Sequence, residues 1–203
     1  MTIASSHALL AVATLLAVAA ANAGVVQVQV HDSVGKPLAD AVVFLESREA
    51  AAAVRPAREA AIAQVDKQFS PRVTVVPVGT PVDFPNRDKV RHHVYSFSPA
   101  KTFELKLYAG TPANPVIFDR VGVAVLGCNI HDHMTAWVVV VDTPYYTRTT
   151  AGGQATLDGV PAGNYRLRAW HADLPVGTPA SDQPITVTAS GTAATVRLEE
   201  PRR

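Results

Sequence analysis

Short strand-like runs, closely spaced and separated by Gly, Pro and Asn turns, most constrain what this chain can become. Val73–Val76, Val82–Phe84, His93–Phe97, Thr102–Tyr108, Val116–Phe118, Val121–Leu126 and Thr135–Val141 follow one another with little between them. Val25–Val30 alternates apolar and polar residues before them, Ala39–Leu45 reads as a second strand, and Gln183–Val187 and Thr195–Leu198 close the chain. No helical period extends far. Such a pattern predicts an all-β chain built as an antiparallel sandwich or barrel. Only Glu46–Ala63, rich in Ala, offers a short helix, and Pro56 interrupts it. Thr149–Leu157 reads as a hairpin and Gly159–Tyr165 as a tight turn into another strand.

The first residues belong to a different class. Ala8–Ala21 is an almost unbroken apolar run, and Ala21-Asn22-Ala23 is a small-x-small site. This is the form of a secretory signal, residues 1–23, although its start carries His7 instead of Lys or Arg. The run is shorter than the roughly 20 residues that span a bilayer, so no stable membrane insertion is expected after cleavage. The expected compartment is the periplasm. There a lone cysteine must be buried, paired with another molecule or held as a metal thiolate.

The chain has one Cys in 203 residues. That excludes an internal disulfide framework, a Cys-rich zinc site and an iron–sulfur cluster held by its own thiolates. With 18 Lys and Arg against 17 Asp and Glu, the net charge of +1 offers no general case for nucleic acid. The cysteine stands in Cys128-Asn129-Ile130-His131-Asp132-His133-Met134. Thiolate, imidazole and thioether make a donor set that suits copper, and a thioether is a poor zinc ligand. A second imidazole must come from elsewhere, and His92 and His93 follow the Phe84 strand and a polar turn. A Cys–His nucleophile is the enzymatic alternative, but no orienting group or substrate pocket accompanies it. No paired catalytic carboxylates, phosphate loop or calcium loop occur, and no enzymatic activity is expected.

The stretch from Ala63 to Asp142 resembles the cupredoxin (plastocyanin-like) family, and most of all its amicyanin-type members. Cys128, His131 and Met134 match the Cys-x-x-His-x-x-Met ligand loop of that family. Val82-Asp83-Phe84-Pro85-Asn86 leading to His92-His93-Val94 matches the segment that carries its first histidine. The resemblance implies a Greek-key β-sandwich holding one copper ion through His92, Cys128, His131 and Met134. It also implies cycling between Cu(II) and Cu(I), with His131 as the electron exit and Val121–Leu126 and Ile130 in a dry shell. The implied partners are periplasmic redox proteins, such as a dehydrogenase or a c-type cytochrome. Two departures stand out. His93 occupies a position that is often an Asn bracing the ligand loop. His133 offers a Cys-x4-His spacing, as in azurin-like relatives, whose Met would fall where this chain has Trp137. A non-redox copper site is therefore one alternative, and an envelope interaction module without a redox role is another. His31 and His171 read as structural.

The ends carry a second resemblance. Gly35–Val43 and Gly159–Tyr165 resemble parts of a carboxypeptidase-regulatory-like (transthyretin-like) β-sandwich. This implies a second small sandwich whose halves, residues 24–48 and 143–200, flank a linker or short helix at 49–62 and a copper domain at 63–142. N-terminal sequencing of the exported protein is expected to start at Gly24. A start at Met1 would remove the secretory reading.

Overall fold

The computed structural model describes residues 23–199, so the apolar run of the predicted leader lies outside the described residues. The chain enters through β1 (Ala23–His31) and β2 (Val42–Glu46), then makes one short helix, α1 (Arg48–Ala53). The middle follows as β3 (Ala60–Ala61), β4 (Ala63–Val65), β5 (Gln68–Ser70), β6 (Val73–Pro77), β7 (Thr80–Asp83), β8 (His92–Ser98), β9 (Lys101–Tyr108), β10 (Val116–Phe118), β11 (Gly122–Gly127) and β12 (Thr135–Val141). Five strands finish it: β13 (Tyr146–Arg148), β14 (Gln154–Pro161), β15 (Gly163–Trp170), β16 (Gln183–Val187) and β17 (Thr192–Arg197). The architecture is all-β apart from α1. Ser47 caps that helix by accepting the Ala50 N–H at 3.0 Å, and the chain leaves it two residues before Pro56. No helix among the described residues is long and apolar enough to cross a membrane.

The strands sort by position in the chain. The ends build a sheet ordered β14-β1-β17 and another ordered β13-β2-β15-β16. The middle builds a five-stranded sheet, β6-β12-β11-β8-β9, a small sheet, β10-β7-β3, and the hairpin β4-β5. Among the described residues no strand ladder joins an end strand to a middle strand. Pairing is mostly antiparallel, but β1–β17, β6–β12 and β3–β7 are parallel. A purely antiparallel sandwich therefore does not describe the molecule. Parallel neighbours need a long crossover between them, and these pairs join segments with several other strands in between. The hairpin read at Thr149–Leu157 is also corrected. Its turn exists, with the Gly153 N–H donating to Thr150 O at 2.8 Å. Its arms part, because β13 pairs with β2 and β14 pairs with β1.

Two apolar cores result, and β12 belongs to both. Ala136, Val138 and Val140 pack with Phe84, Phe118 and Leu126, while Trp137, Val139 and Val141 pack with residues of the end strands. Successive strand side chains point to opposite faces, so a strand covered on both sides must be apolar throughout. That is why Ala136–Val141 shows no alternation. On the end side, β1 does alternate, with Val26, Val28 and Val30 inward and one face of its sheet open to solvent.

Leu45 and Leu126 are each fully buried, one in each core. Truncating either to Ala is expected to cost about 2–5 kcal/mol. Because β12 is common to both cores, both variants should lower the midpoint of one shared urea-unfolding transition. Two separable transitions would show that the cores unfold independently.

Candidate metal centre

Cys128 to Met134 form the connection between β11 and β12, whose ladder ends with Gly127 opposite Thr135. The loop is thus held at both ends by sheet hydrogen bonds, and the Met134 N–H donates to His131 O at 2.9 Å inside it. A Cβ on Gly127 would lie 2.7 Å from the Tyr95 ring, which would have to shift to admit it. Tyr95 sits directly across the β8–β11 ladder from it.

His92 is delivered by the start of β8, on the strand next to β11. The polar turn before it is organised by Asn86. Its amide donates to Val90 O at 2.8 Å and Tyr108 O at 2.9 Å, and its oxygen accepts the Asp88 N–H at 2.9 Å. This local side-chain-to-backbone bonding turns the chain so that Asp88 faces inward. Tyr108 supports the same region from β9, donating its hydroxyl to Phe84 O at 2.7 Å. Burial pushes that hydroxyl up to about 12, so it stays a neutral donor.

Three donor atoms converge here. Cys128 Sγ lies 4.0 Å from His92 Nδ1 and 3.9 Å from His131 Nδ1. These groups of His92, Cys128 and His131 all lie within 4.8 Å of one another and can hold a metal ion. Metal–sulfur and metal–nitrogen bonds of about 2.3 and 2.0 Å, set at a trigonal angle, separate S from N by roughly 3.8 Å. The two observed S–N spacings are close to that value, and the thiolate–imidazole set suits copper. His92 and Cys128 are buried, while His131 is half-buried. Met134 is 1% exposed and packs in the same apolar cluster as Cys128, Phe84 and Leu126.

The second nitrogen of His92 explains its orientation. Nε2 lies 2.7 Å from Asp88 Oδ2. Asp88 also accepts the N–H groups of Asp66 at 2.7 Å and Lys67 at 2.9 Å. Desolvation raises the Asp88 carboxyl, but the Lys67 N–H, His92 and Asp66 N–H hydrogen bonds outweigh it and hold it below the usual carboxylate range. An ionised Asp88 keeps the proton on Nε2 and leaves the Nδ1 lone pair facing the sulfur. Sequence reading did not single out Asp88. Its four-residue offset from His92 was visible, but not its inward turn.

The other histidines fall into distinct places. His133 stays outside the convergent group: it is exposed, and its Nε2 lies 3.1 Å from Lys67 O. His93 is buried, and its Nδ1 lies 3.1 Å from Asn129 Nδ2, the residue after Cys128. A bracing contact to the ligand loop thus exists, with imidazole and amide on opposite sides of it. His93 Nε2 approaches Glu104 Oε1 at 3.0 Å without hydrogen-bond alignment. The His131 imidazole is pushed down from its ordinary value, first by desolvation and then by His92, Lys67 and His133, so at neutral pH its lone pair is free. Ile130 and Val121 do not join a dry shell. They are 48% and 46% exposed, whereas Phe84, Leu126 and Met134 share the buried apolar cluster of Cys128.

Comparisons with known proteins cover parts of this chain. The family described as polysaccharide lyase family 4, domain II, matches residues 121–195. No curated protein matches. Among solved structures, the Cu-containing nitrite reductase (NirK) from Thermus scotoductus SA-01 is similar at 24% identity over 43% of this chain, with a TM-score of 0.39. This chain spans 23% of that enzyme. A purple cupredoxin from Nitrosopumilus maritimus is similar at 24% identity over 40% of this chain and 99% of its own length, TM-score 0.36. A reduced amicyanin variant is similar at 20% identity over 49% of this chain and 98% of its own, TM-score 0.38.

Asp88→Asn removes the carboxylate that serves His92 and two backbone N–H groups. It is expected to weaken metal binding about 10–100-fold, as loss of a ligand-orienting partner does. Competition with a chelator measures this. His133→Ala, by contrast, should leave affinity and one-to-one stoichiometry unchanged.

Proposed function

We propose that this protein is a periplasmic type-1 copper protein that carries single electrons between redox partners. The observation that carries the proposal is the convergence of Cys128 Sγ with His92 Nδ1 and His131 Nδ1. Met134 is the fourth donor in this reading, a buried thioether three residues after His131. The copper ion, when bound, supplies one-electron chemistry by alternating between Cu(II) and Cu(I).

The chain's own residues do the rest. Cys128 offers its sulfur from a buried position, out of reach of oxidants and disulfide partners. Asp88 holds the proton of His92 on Nε2 and so aims Nδ1 inward. Phe84 and Leu126 exclude water from the sulfur side. Because the ladder at Gly127 and Thr135 closes the loop, the donors keep one arrangement in both charge states, and little reorganisation accompanies transfer. His131 is the half-buried ligand, with exposed Ile130 beside it, which makes its ring edge the route for the electron to a partner. No proton transfer or bond making is asked of any residue, so the role is that of a carrier and not an enzyme.

The outer strands are read as one carboxypeptidase-regulatory-like sandwich split around the copper domain. The pairing of β1 and β2 only with strands after residue 145 supports this. Export to the periplasm rests on the leader-like run at Ala8–Ala21.

Copper-loaded protein is expected to be intensely coloured, with an electron paramagnetic resonance spectrum of a thiolate-bound Cu(II) and reversible voltammetry. Cys128→Ser should abolish the colour outright, whereas Met134→Leu should keep it and raise the potential. A colourless Cu(II) complex without reversible cycling would leave a non-redox copper site as the better account.

A further inference from the structure

A cavity of about 690 Å³ lies between one face of the five-stranded sheet and the sheet that holds β2 and β15, and it reaches Leu126 and Gly127 beside Cys128. The chain from Pro175 to Ala180 straps across it. Well-packed interiors hold few voids larger than a water molecule, and a space of this size falls within the range of ligand pockets. Its walls are largely apolar and aromatic. Trp137 from β12 and Trp170 from β15 stand with ring centroids 6.3 Å apart, and Phe44 lies on the β2 side. Phe97 and Val176, both about three-quarters exposed, stand at its edge.

One charged pair interrupts this apolar lining. Arg168 uses three of its five N–H groups: it donates to Glu46 Oε2 at 2.8 Å, to Ser181 O at 2.8 Å and to Ala180 O at 3.4 Å. Its guanidinium also lies 5.9 Å from the Phe44 ring centre. Glu46 is engaged on one side only. No hydrogen bond reaches its Oε1 among the described residues, although the side chain is 23% exposed. Burial raises the Glu46 carboxyl against the lowering influence of Arg168. The cavity therefore combines aromatic side chains with a carboxylate whose Oε1 accepts no hydrogen bond among the described residues.

We propose that this cavity is a binding site for a small planar aromatic molecule carrying a hydrogen-bond donor, of the phenol class. Its ring packs against Trp137 and Trp170, and its hydroxyl donates to Glu46 Oε1. Aromatic faces favour a flat π-system, and the acceptor selects a ring that bears O–H over one that does not. The site is independent of the copper reading, because neither Glu46 nor the tryptophans contribute to the metal centre.

The test is a titration of the full chain with 2-naphthol and with 2-methoxynaphthalene, the same ring without a donor. Heteronuclear NMR reads the two indole N–H resonances, since Trp137 and Trp170 are the chain's two tryptophans and both line the cavity. Both resonances are expected to shift saturably with 2-naphthol, and 2-methoxynaphthalene to bind about tenfold more weakly. Val123→Phe fills the space and should abolish the shifts. Val176→Asp, at an exposed position on the strap, should weaken them even if the first variant folds poorly. In Glu46→Gln the amide turns its oxygen to Arg168 and shows the ligand a donor, so the preference for 2-naphthol should disappear. Absence of saturable shifts, or shifts that survive both Val123→Phe and Val176→Asp, would overturn the site. Equal binding of the two probes to the unaltered chain would overturn the phenol class.

Discussion

The seven residues from Cys128 to Met134 are a hairpin connection, and the β11–β12 ladder that closes them is the constraint on which the rest depends. Six consecutive pairs, from Gly122 opposite Val140 to Gly127 opposite Thr135, set where the loop begins and ends. The sulfur emerges immediately beyond the last pair. β8 lies beside β11 in the same sheet, so His92 arrives at the height of Cys128 as a consequence of strand order. The geometry of the candidate donors is thus set by the sheet that closes their loop. A ladder resists displacement because moving one strand breaks several hydrogen bonds at once.

That sheet is itself pinned from both sides. β12 buries Ala136, Val138 and Val140 toward the metal-site core and Trp137, Val139 and Val141 toward the end strands. A one-residue slip would exchange the two sets, placing Trp137 where Ala136 or Val138 now fits. Register is therefore set twice over. The packing between the sheets is less complete near the strap at Pro175–Ala180, where the cavity lies. The molecule combines a tightly specified face around Cys128 with a looser one behind it.

Around the donors, support comes from residues distant in sequence. The β4–β5 tip contacts both halves of the centre. Its Asp66 and Lys67 N–H groups reach Asp88 behind His92, and its Lys67 carbonyl meets His133 on the ligand loop. Both tip residues adopt left-handed backbone angles, φ 52° and 57°, which present successive N–H groups in one direction. The turn thus ties the segment that leads into His92 to the ligand loop.

What sequence alone determined is local. Strand type followed from short apolar runs and turn residues, and Cys128, His131 and Met134 stood out as candidate donors within seven residues, because both are properties of neighbours along the chain. Sequence also placed His92 just beyond the polar turn, one residue before the strand expected from His93. The tertiary structure decided which partner each strand took, separating β13 from β14 where a hairpin was expected. It brought His131, the histidine that the loop spacing favoured, to the sulfur and turned His133, the alternative, to Lys67. It decided that Asp88 faces inward, that His93 braces Asn129, and that Ile130 faces solvent. Each of these depends on segments brought together across 20 or more residues, or on which side of a folded loop meets water. No spacing rule within one segment carries that information.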